Sequence, residues 1–436
     1  MIERNNYLQK LIDSRKNGFP KVITGIRRCG KSYLLKTIYK EYLIKELGVK
    51  ESSILVLELD DDRNILYRNP ITLGQYVRDY CKDKKDCYVF VDEIQLVTKI
   101  INPAFTNGDI IVAKEGDSNV ITFVDVVLGL AREKNIDLYV TGSNSKMLSS
   151  DIVTEFRDKA TNIHVRPLSF EEYYNYKKGS KNEALYEFLQ YGGMPLAVLK
   201  DSNEKKEYLK ELFKLTYFKD ILEHNKLAKT DALDSLCAII SEGTGDLFNA
   251  EKIADTYKSK TKEKIDDQTV AKYINYFVDA FIIAEATRYD VKGRNEIGAL
   301  RKYYFVDNGL RNAWINFAYD DEGKLLENLV YNELLFNGYI VNVGVFESVE
   351  KDKNGKSIRK NYEIDFVAEK GLRKFYVQVC SDISNIETKE REVKPYIKVN
   401  DQIQKVIVIN KPIEEMKDSN GFTIIGATDF LLRFIK

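Results

Sequence analysis

The chain carries Gly25-Ile26-Arg27-Arg28-Cys29-Gly30-Lys31-Ser32 directly after the apolar run Val22-Ile23 and directly before a segment with helical spacing. The pattern G-x-x-x-x-G-K-[ST] requires a loop whose backbone N–H groups turn inward, and its glycines permit that turn. Between a strand and a helix such a loop cradles phosphates. Gly25, Ile26, Arg27, Arg28, Cys29, Gly30, Lys31, Ser32 and Tyr33 would surround the ligand, with Lys31 reaching the β- and γ-phosphates and the Ser32 hydroxyl ligating Mg2+. The helix after the loop points its positive end at the same place. ATP with Mg2+ is the expected cofactor pair. Cys29 lies beside two arginines near a helix N-terminus, a setting that acidifies a thiol, so a reactive cysteine is expected there.

At 436 residues, 44% hydrophobic and 31% charged, the chain has material for about three domains. Its 67 Lys and Arg balance its 67 Asp and Glu, so no global field draws it to nucleic acid or to a membrane. Apolar runs such as Val406-Ile407-Val408-Ile409 fall far short of the ~20 residues that span a bilayer. The polar start, Met1 to Lys10, does not read as a signal peptide. Five scattered cysteines without a C-x-x-C pair point to a reducing compartment, and a cytoplasmic protein with no membrane association is expected. The only histidines, His164 and His224, leave little material for a Ser-His-Asp triad or a histidine-rich metal site.

Up to about Tyr176, short β-rich runs alternate with helical stretches, the pattern of a parallel sheet covered by helices. Strands are predicted at 21–25, 54–59, 88–92, 137–142 and 162–166, and helices over 31–47, 71–82 and 121–134. In the first helix Leu34, Leu35, Ile38, Tyr42 and Leu43 recur at the spacing of a buried stripe. Asn102 to Asn119 reads as a long loop.

A phosphate loop alone does not separate a kinase from a switch. Tyr88-Val89-Phe90-Val91-Asp92-Glu93 adds an apolar strand ending in two acids: Asp92 to hold Mg2+ and Glu93 to polarise the attacking water. The strand ending in Thr141-Gly142-Ser143-Asn144 brings Ser143 and Asn144 to where a γ-phosphate would be sensed, and Arg157 or Lys159 would stabilise transition-state charge. One strand, 54–59, lies in chain order between the loop strand and the acidic strand, as in the additional-strand class of P-loop ATPases.

Beyond residue 180 the pattern is mainly helical, over 183–190, 204–224, 231–242, 249–258 and 267–282, followed by two β-like pieces. Three helices and a ribbon suggest a winged helix-turn-helix with Thr269 to Ala280 as its second helix, a module that binds DNA. Residues 225–310 hold 13 Lys and Arg against 14 Asp and Glu, and only Lys258, Lys260, Lys262 and Lys264 form a basic cluster. From 322 a helix (325–337) leads into strands at 339–345, 361–368, 374–380 and 405–410, a separate α/β domain.

Asp92-Glu93-Ile94-Gln95, the run Tyr139 to Leu148, and Pro167-Leu168-Ser169-Phe170-Glu171-Glu172-Tyr173 together resemble the prokaryotic AAA-type ATPases with a C-terminal domain of unknown function. The resemblance implies an AAA+ core, a winged-helix middle and a nuclease-like C-terminal domain. Where that family shows F-R-G-R-G, this chain has Phe156-Arg157-Asp158-Lys159-Ala160: Arg157 is kept and both glycines are lost. Glu363-Ile364-Asp365-Phe366-Val367 and Phe375 to Cys380 resemble the PD-(D/E)xK restriction-endonuclease core, with Glu327 as a third acid. Gln378 stands at the second acid's position and Cys380 at the lysine's, so Lys389 or Lys394 from the next helix would have to stand in.

The fold class expected is therefore α/β: a P-loop NTPase parallel sheet of the additional-strand AAA+ type (1–178), a helical winged-helix domain (179–320) and an α/β PD-(D/E)xK-like domain (321–436). The function expected is Mg-dependent ATP hydrolysis coupled to DNA, a protein partner or a homo-oligomer. A slow nucleotide switch and a Mg-dependent nuclease are the alternatives.

Overall fold

Short apolar runs in the first third of the chain fold as five strands: β1 (Lys21–Thr24), β2 (Ile54–Glu58), β3 (Cys87–Asp92), β4 (Ile136–Thr141) and β5 (Thr161–His164). The computed structural model describes residues 2–142, 156, 159–218, 221–222, 225, 231–318, 321–351, 356–383, 386–399 and 401–436. The strands pair in the order β2-β3-β4-β1-β5, all parallel. Every residue of β1 and β3 is buried, because helices cover both faces and leave no solvent side to alternate toward. β4 is inserted between β1 and β3, the arrangement expected of the additional-strand class.

The helical run after the glycine-rich loop spans Lys31–Tyr33, a π-helical turn at Leu34–Tyr39, and Lys40–Lys45. The wider turn rotates the last stretch of the run about its axis. Tyr39 and Leu43 join Leu34 and Leu35 in the core, while Ile38 and Tyr42, expected inward from plain α-helical spacing, are half-buried. Tyr39 Oη lies 2.6 Å from Tyr139 Oη, whose hydroxyl donates to Asp137 Oδ2 at 2.8 Å. Asp137 in turn pairs with the fully buried Lys21 of β1, so a satisfied polar chain pins this helix to the sheet.

Helix Pro70–Cys81 starts where Asn69 accepts from the amides of Ile71 and Thr72 with proline in the first turn. Helix Phe123–Leu130 starts at a capping box between Thr122 and Asp125, and is shorter than the 121–134 stretch predicted. The long loop is bracketed by a short antiparallel pairing of Ile100–Ile101 with Val120–Ile121.

By contact the chain divides into two units, Met1–Arg166 with Asp279–Phe281, and Pro167–Val278 with Ile282–Lys436. The second unit therefore begins earlier than residue 179. Helix Phe170–Lys177 is capped by the reciprocal Ser169–Glu172 box, Leu168 N donates to Gly193 O at 2.8 Å, and Phe170 N donates to Glu333 at 2.6 Å. These bonds tie the segment to the second unit. Within it, helices Asp231–Glu242, Ala250–Thr261 and Asp267–Asp279 precede an antiparallel ribbon.

The strands of this unit are β6 (Leu247–Phe248), β7 (Ile283–Asp290), β8 (Asn295–Phe305), β9 (Ile340–Lys351), β10 (Ser357–Lys370), β11 (Arg373–Cys380), β12 (Gln404–Ile409), β13 (Met416–Lys417) and β14 (Thr423–Gly426). They form one nine-stranded sheet ordered β13-β14-β12-β11-β10-β9-β7-β8-β6. The expectation of a separate α/β domain from 321 meets a correction here. Val343, Gly344 and Val345 of β9 pair in parallel with Arg288, Tyr289 and Asp290 of β7, so the sheet runs across residue 320. Pairing between strands so distant in sequence leaves no trace in local periodicity.

Candidate functional site

The glycine-rich loop holds the backbone geometry its residues permit. Gly25 has φ +142° and Gly30 φ +99°, and Arg28 also takes a positive φ of 63°. A Cβ on Gly25 would come within 2.0 Å of Val165 O, so the loop packs against the chain leaving β5 with no room for a side chain. The helix starting at Lys31 has no side-chain cap, which leaves its first-turn amides available. Arg4, itself buried, braces the loop: its guanidinium donates to Cys29 O at 3.2 Å and to Arg166 O at 2.7 Å. Cys29 is fully buried and its Sγ donates to Val165 O at 3.3 Å. That burial removes the access a reactive thiol needs, so Cys29 is a packing residue of the loop. Arg27, Arg28 and Tyr33 are exposed, Ile26 is buried and Ser32 half-buried.

Lys31 is only 4% exposed, and its Nζ donates to Gly25 O at 2.9 Å and Ile26 O at 3.0 Å. Among the described residues it faces no carboxylate. A buried ammonium satisfied by two loop carbonyls and no anion, beside uncapped amides, fits a phosphate group. At the neighbouring end of β5, His164 is held neutral: burial, then the charges of Arg166, Lys31 and Lys10, push it down to about 3.

The acids lie on the same edge of the sheet. Asp92 ends β3 and accepts the Thr141 hydroxyl from the end of β4, and Glu93 N donates to the same Thr141 Oγ1 at 3.2 Å. Glu93 takes φ +55°, a left-handed conformation that turns its carboxylate away from the strand direction and toward Gln95 Nε2. Two partners of this cluster were not singled out from the sequence. Lys36, one turn past Lys31, lies 3.2 Å from Asp92 Oδ2 and also pairs with Glu58 at the end of β2. Burial acts to lower its pKa, but Glu58 and Asp92 outweigh it and hold the Lys36 ammonium above its ordinary value. Glu58 had a signal, an apolar strand ending in an acid like β3; Lys36 had none.

Residues 17–174 match the model of an AAA domain. Residues 182–321 match a domain of unknown function, DUF8612. The chain is 29% identical to an uncharacterised protein of Haemophilus influenzae over 99% of each chain. It is 28% identical to an uncharacterised protein of Methanocaldococcus jannaschii over 87% of this chain and 78% of that one. Among solved structures, the Aeropyrum pernix ORC2 protein in ADPNP–ADP complexes aligns at 10% identity and a TM-score of 0.38, over 76% of this chain and 93% of that one. The Aeropyrum pernix ORC1 protein in complex with DNA aligns at 11% identity and 0.30, over 72% and 92%.

Within the residues matched by the AAA domain model, Gly25, Gly30, Lys31, Ser32, Asp92, Glu93 and Thr141 lie at the carboxyl ends of the parallel strands and in the loop and helix that follow β1. Ser143, Asn144 and Arg157 lie outside the described residues. No helix among the described residues is long and apolar enough to cross a membrane.

The second unit contains another acidic cluster. Glu327 of helix Glu322–Phe336 and Glu363 and Asp365 of β10 converge, and the lysine among them is Lys302 of β8. Its Nζ lies 3.0 Å from Glu327, 2.9 Å from Glu363 and 4.0 Å from Asp365. Of the two lysines expected to migrate in, Lys394 instead pairs with Glu350 at 3.4 Å, and the side chain of Lys389 lies outside the described residues. Tyr304 Oη donates to Glu327 at 2.7 Å and Val379 N to Asp365 Oδ2 at 2.8 Å. Gln378 donates to Glu392 at 2.9 Å. Cys380 is buried, and burial followed by the Glu392 and Asp365 carboxylates pushes its thiol up to about 12, so it supplies neither a cation nor a thiolate. Among the described residues no group of acids, cysteines or histidines is arranged to hold a metal ion.

Proposed function

We propose that the AAA domain binds ATP with Mg2+ and hydrolyses it. The observation that carries this is Lys31, a buried ammonium that faces two loop carbonyls and no carboxylate, beside the Asp92–Thr141 pair. Lys31 and the uncapped amides after Gly30 hold the phosphates, and Ser32 and Asp92 hold the metal. When bound, Mg2+ neutralises charge on the phosphate oxygens. Glu93 accepts the proton of the attacking water, and its left-handed backbone sets the direction of its carboxylate. Ser143 and Asn144, just past Thr141, are assigned to sensing the γ-phosphate, and Arg157 to stabilising charge.

The output is assigned to the three helices and ribbon of residues 231–305, read as a winged helix. Helix Asp267–Asp279 presents Gln268, Ala271, Lys272 and Asn275 outward, a face with one cation, and Lys260 of the basic cluster is paired with Glu242. A helix face with one cation suits a protein partner better than duplex DNA, whose affinity comes from phosphate neutralisation. Binding to DNA that falls steeply with added salt would reverse that preference.

Fluorescent-ATP binding and phosphate release test the hydrolytic assignment. Lys31→Ala is expected to lose binding by about 100-fold. Glu93→Gln is expected to bind as the parent does and to turn over about 100-fold more slowly. Parent-like turnover by Glu93→Gln would sink it.

A further inference from the structure

A groove of about 870 Å3 opens in the second unit where the turn from β7 to β8, the start of β11 and the residues leading into β12 meet. Small-molecule sites occupy roughly 300–1,000 Å3, with an apolar lining and a few placed polar groups. The floor here is apolar: Val291, Tyr376 and Val399 are buried beneath it. Tyr376 donates its hydroxyl to Asp401 at 2.7 Å, and Asp401 also accepts from the Ile403 amide at 3.1 Å and the Lys405 ammonium at 2.8 Å. The acid among the lining residues is therefore committed to its own neighbours.

One wall is cationic and built to stay so. In the β7–β8 turn Asp290 Oδ1 accepts from the amides of Lys292 at 3.0 Å and Gly293 at 2.9 Å, and Arg294 N donates to Asp290 O at 2.7 Å. Arg294 takes φ +56°, a left-handed conformation that a residue with a long side chain keeps only where its surroundings hold it. Its guanidinium pairs with no carboxylate of the described residues. Burial, then the bond to Asp401, raises the pKa of the Tyr376 hydroxyl and the Arg294 charge opposes them, so the guanidinium lies within electrostatic reach of the floor. Lys292 Nζ donates to the Glu347 carbonyl at 2.9 Å, which leaves two of its three N–H groups, and Lys374 adds a third cation, paired with Glu369 at 3.1 Å. The other wall is neutral. Gln402 and Gln404 are exposed there, and each amide offers a donor and an acceptor side by side.

We propose that this groove binds a nucleoside monophosphate, with the phosphate on Arg294 and Lys292, the base across the apolar floor, and the base edge on Gln402 and Gln404. A phosphate dianion matches two cations that have no acid of their own, and the guanidinium fork suits its oxygens. A bare anion would leave the floor and the amides unused, and an uncharged ring would leave the cations unpaired. The site is built wholly from the second unit, so it stands independently of ATP binding at the phosphate loop.

The test is calorimetric titration of the full chain carrying Lys31→Ala, which removes the lysine of the phosphate loop, with AMP, adenosine and inorganic phosphate. AMP is expected to bind at one site, about tenfold or more tightly than adenosine or phosphate. Arg294→Gln and Lys292→Gln, both at exposed side chains, are each expected to weaken AMP by about tenfold. No AMP binding at millimolar concentration, adenosine or phosphate binding as well as AMP, or AMP binding that both variants leave unchanged would each overturn the proposal. Single-stranded DNA is the rival ligand: an oligonucleotide that binds through Arg294 where AMP does not would give the groove to a strand and overturn it as well.

Discussion

Lys36 and Lys302 each sit among carboxylates, and the difference lies in what surrounds them. Lys36 lies 3.2 Å from Asp92 with a side chain 26% exposed, on the edge of the sheet where the phosphate loop opens. Lys302 lies 2.9 Å from Glu363 with a side chain 4% exposed, enclosed by helix Glu322–Phe336 and β10. Water reaches the first pair, so its partners can be exchanged at little cost. The Lys302 ammonium is desolvated, with the Asp365 and Glu327 side chains largely buried beside it, and whatever replaces it must bring equal charge or destabilise the fold. A cation that can leave belongs to a working site, and one that cannot belongs to the framework.

The largest expected effect breaks the framework side of this contrast. Lys302→Met should lower the unfolding free energy of the second unit by about 3–5 kcal/mol, because it strands buried carboxylates. Urea denaturation checks it, and a loss under about 1 kcal/mol would put Lys302 in the same class as Lys36.

Glu333 sharpens the comparison, since it is a buried carboxyl that no lysine of the described residues pairs with. Burial raises it from 4.5 to about 7, and its Oε2 accepts no hydrogen bond. The folded state therefore binds a proton that the unfolded state has released between those two pH values. Stability from this group is fully present below about pH 4.5 and is lost as pH rises through about 7. Glu333→Gln should flatten that dependence by on the order of 3 kcal/mol between pH 4.5 and pH 8, measured by denaturation at several pH values. An unchanged slope would refute the assignment.

The smallest effect falls on the open site. Lys36→Met should change the stability of the first unit by about 1 kcal/mol or less. It should also tighten Mg2+-dependent nucleotide binding a few-fold, because Asp92 loses a competing cation. Weaker binding would mean that Lys36 assists the nucleotide instead of occupying the acid's second oxygen.

The core of the parallel sheet of the first unit was legible in the sequence because its central strands are buried on both faces, and β3 at Cys87–Asp92 reads as an almost unbroken apolar run. The phosphate loop was legible because its geometry demands glycines at fixed spacing. The π-helical turn at Leu34–Tyr39 was not, since the same residues suit an α-helix and the difference lies in one extra residue per turn. Lys36 and Lys302 were hidden for another reason. Each meets its carboxylates through tertiary contact, and local spacing carries no record of a partner that is distant along the chain, such as Glu363 for Lys302.

The parallel register of β9 on β7 has a consequence for how the chain can be divided. A cut at residue 320 would strip the shared border from both strands and leave two open rows of unpaired amides and carbonyls, the templates on which chains aggregate. Neither half could be moved into another protein as an interchangeable cassette, and the two would have to be inherited, and folded, together.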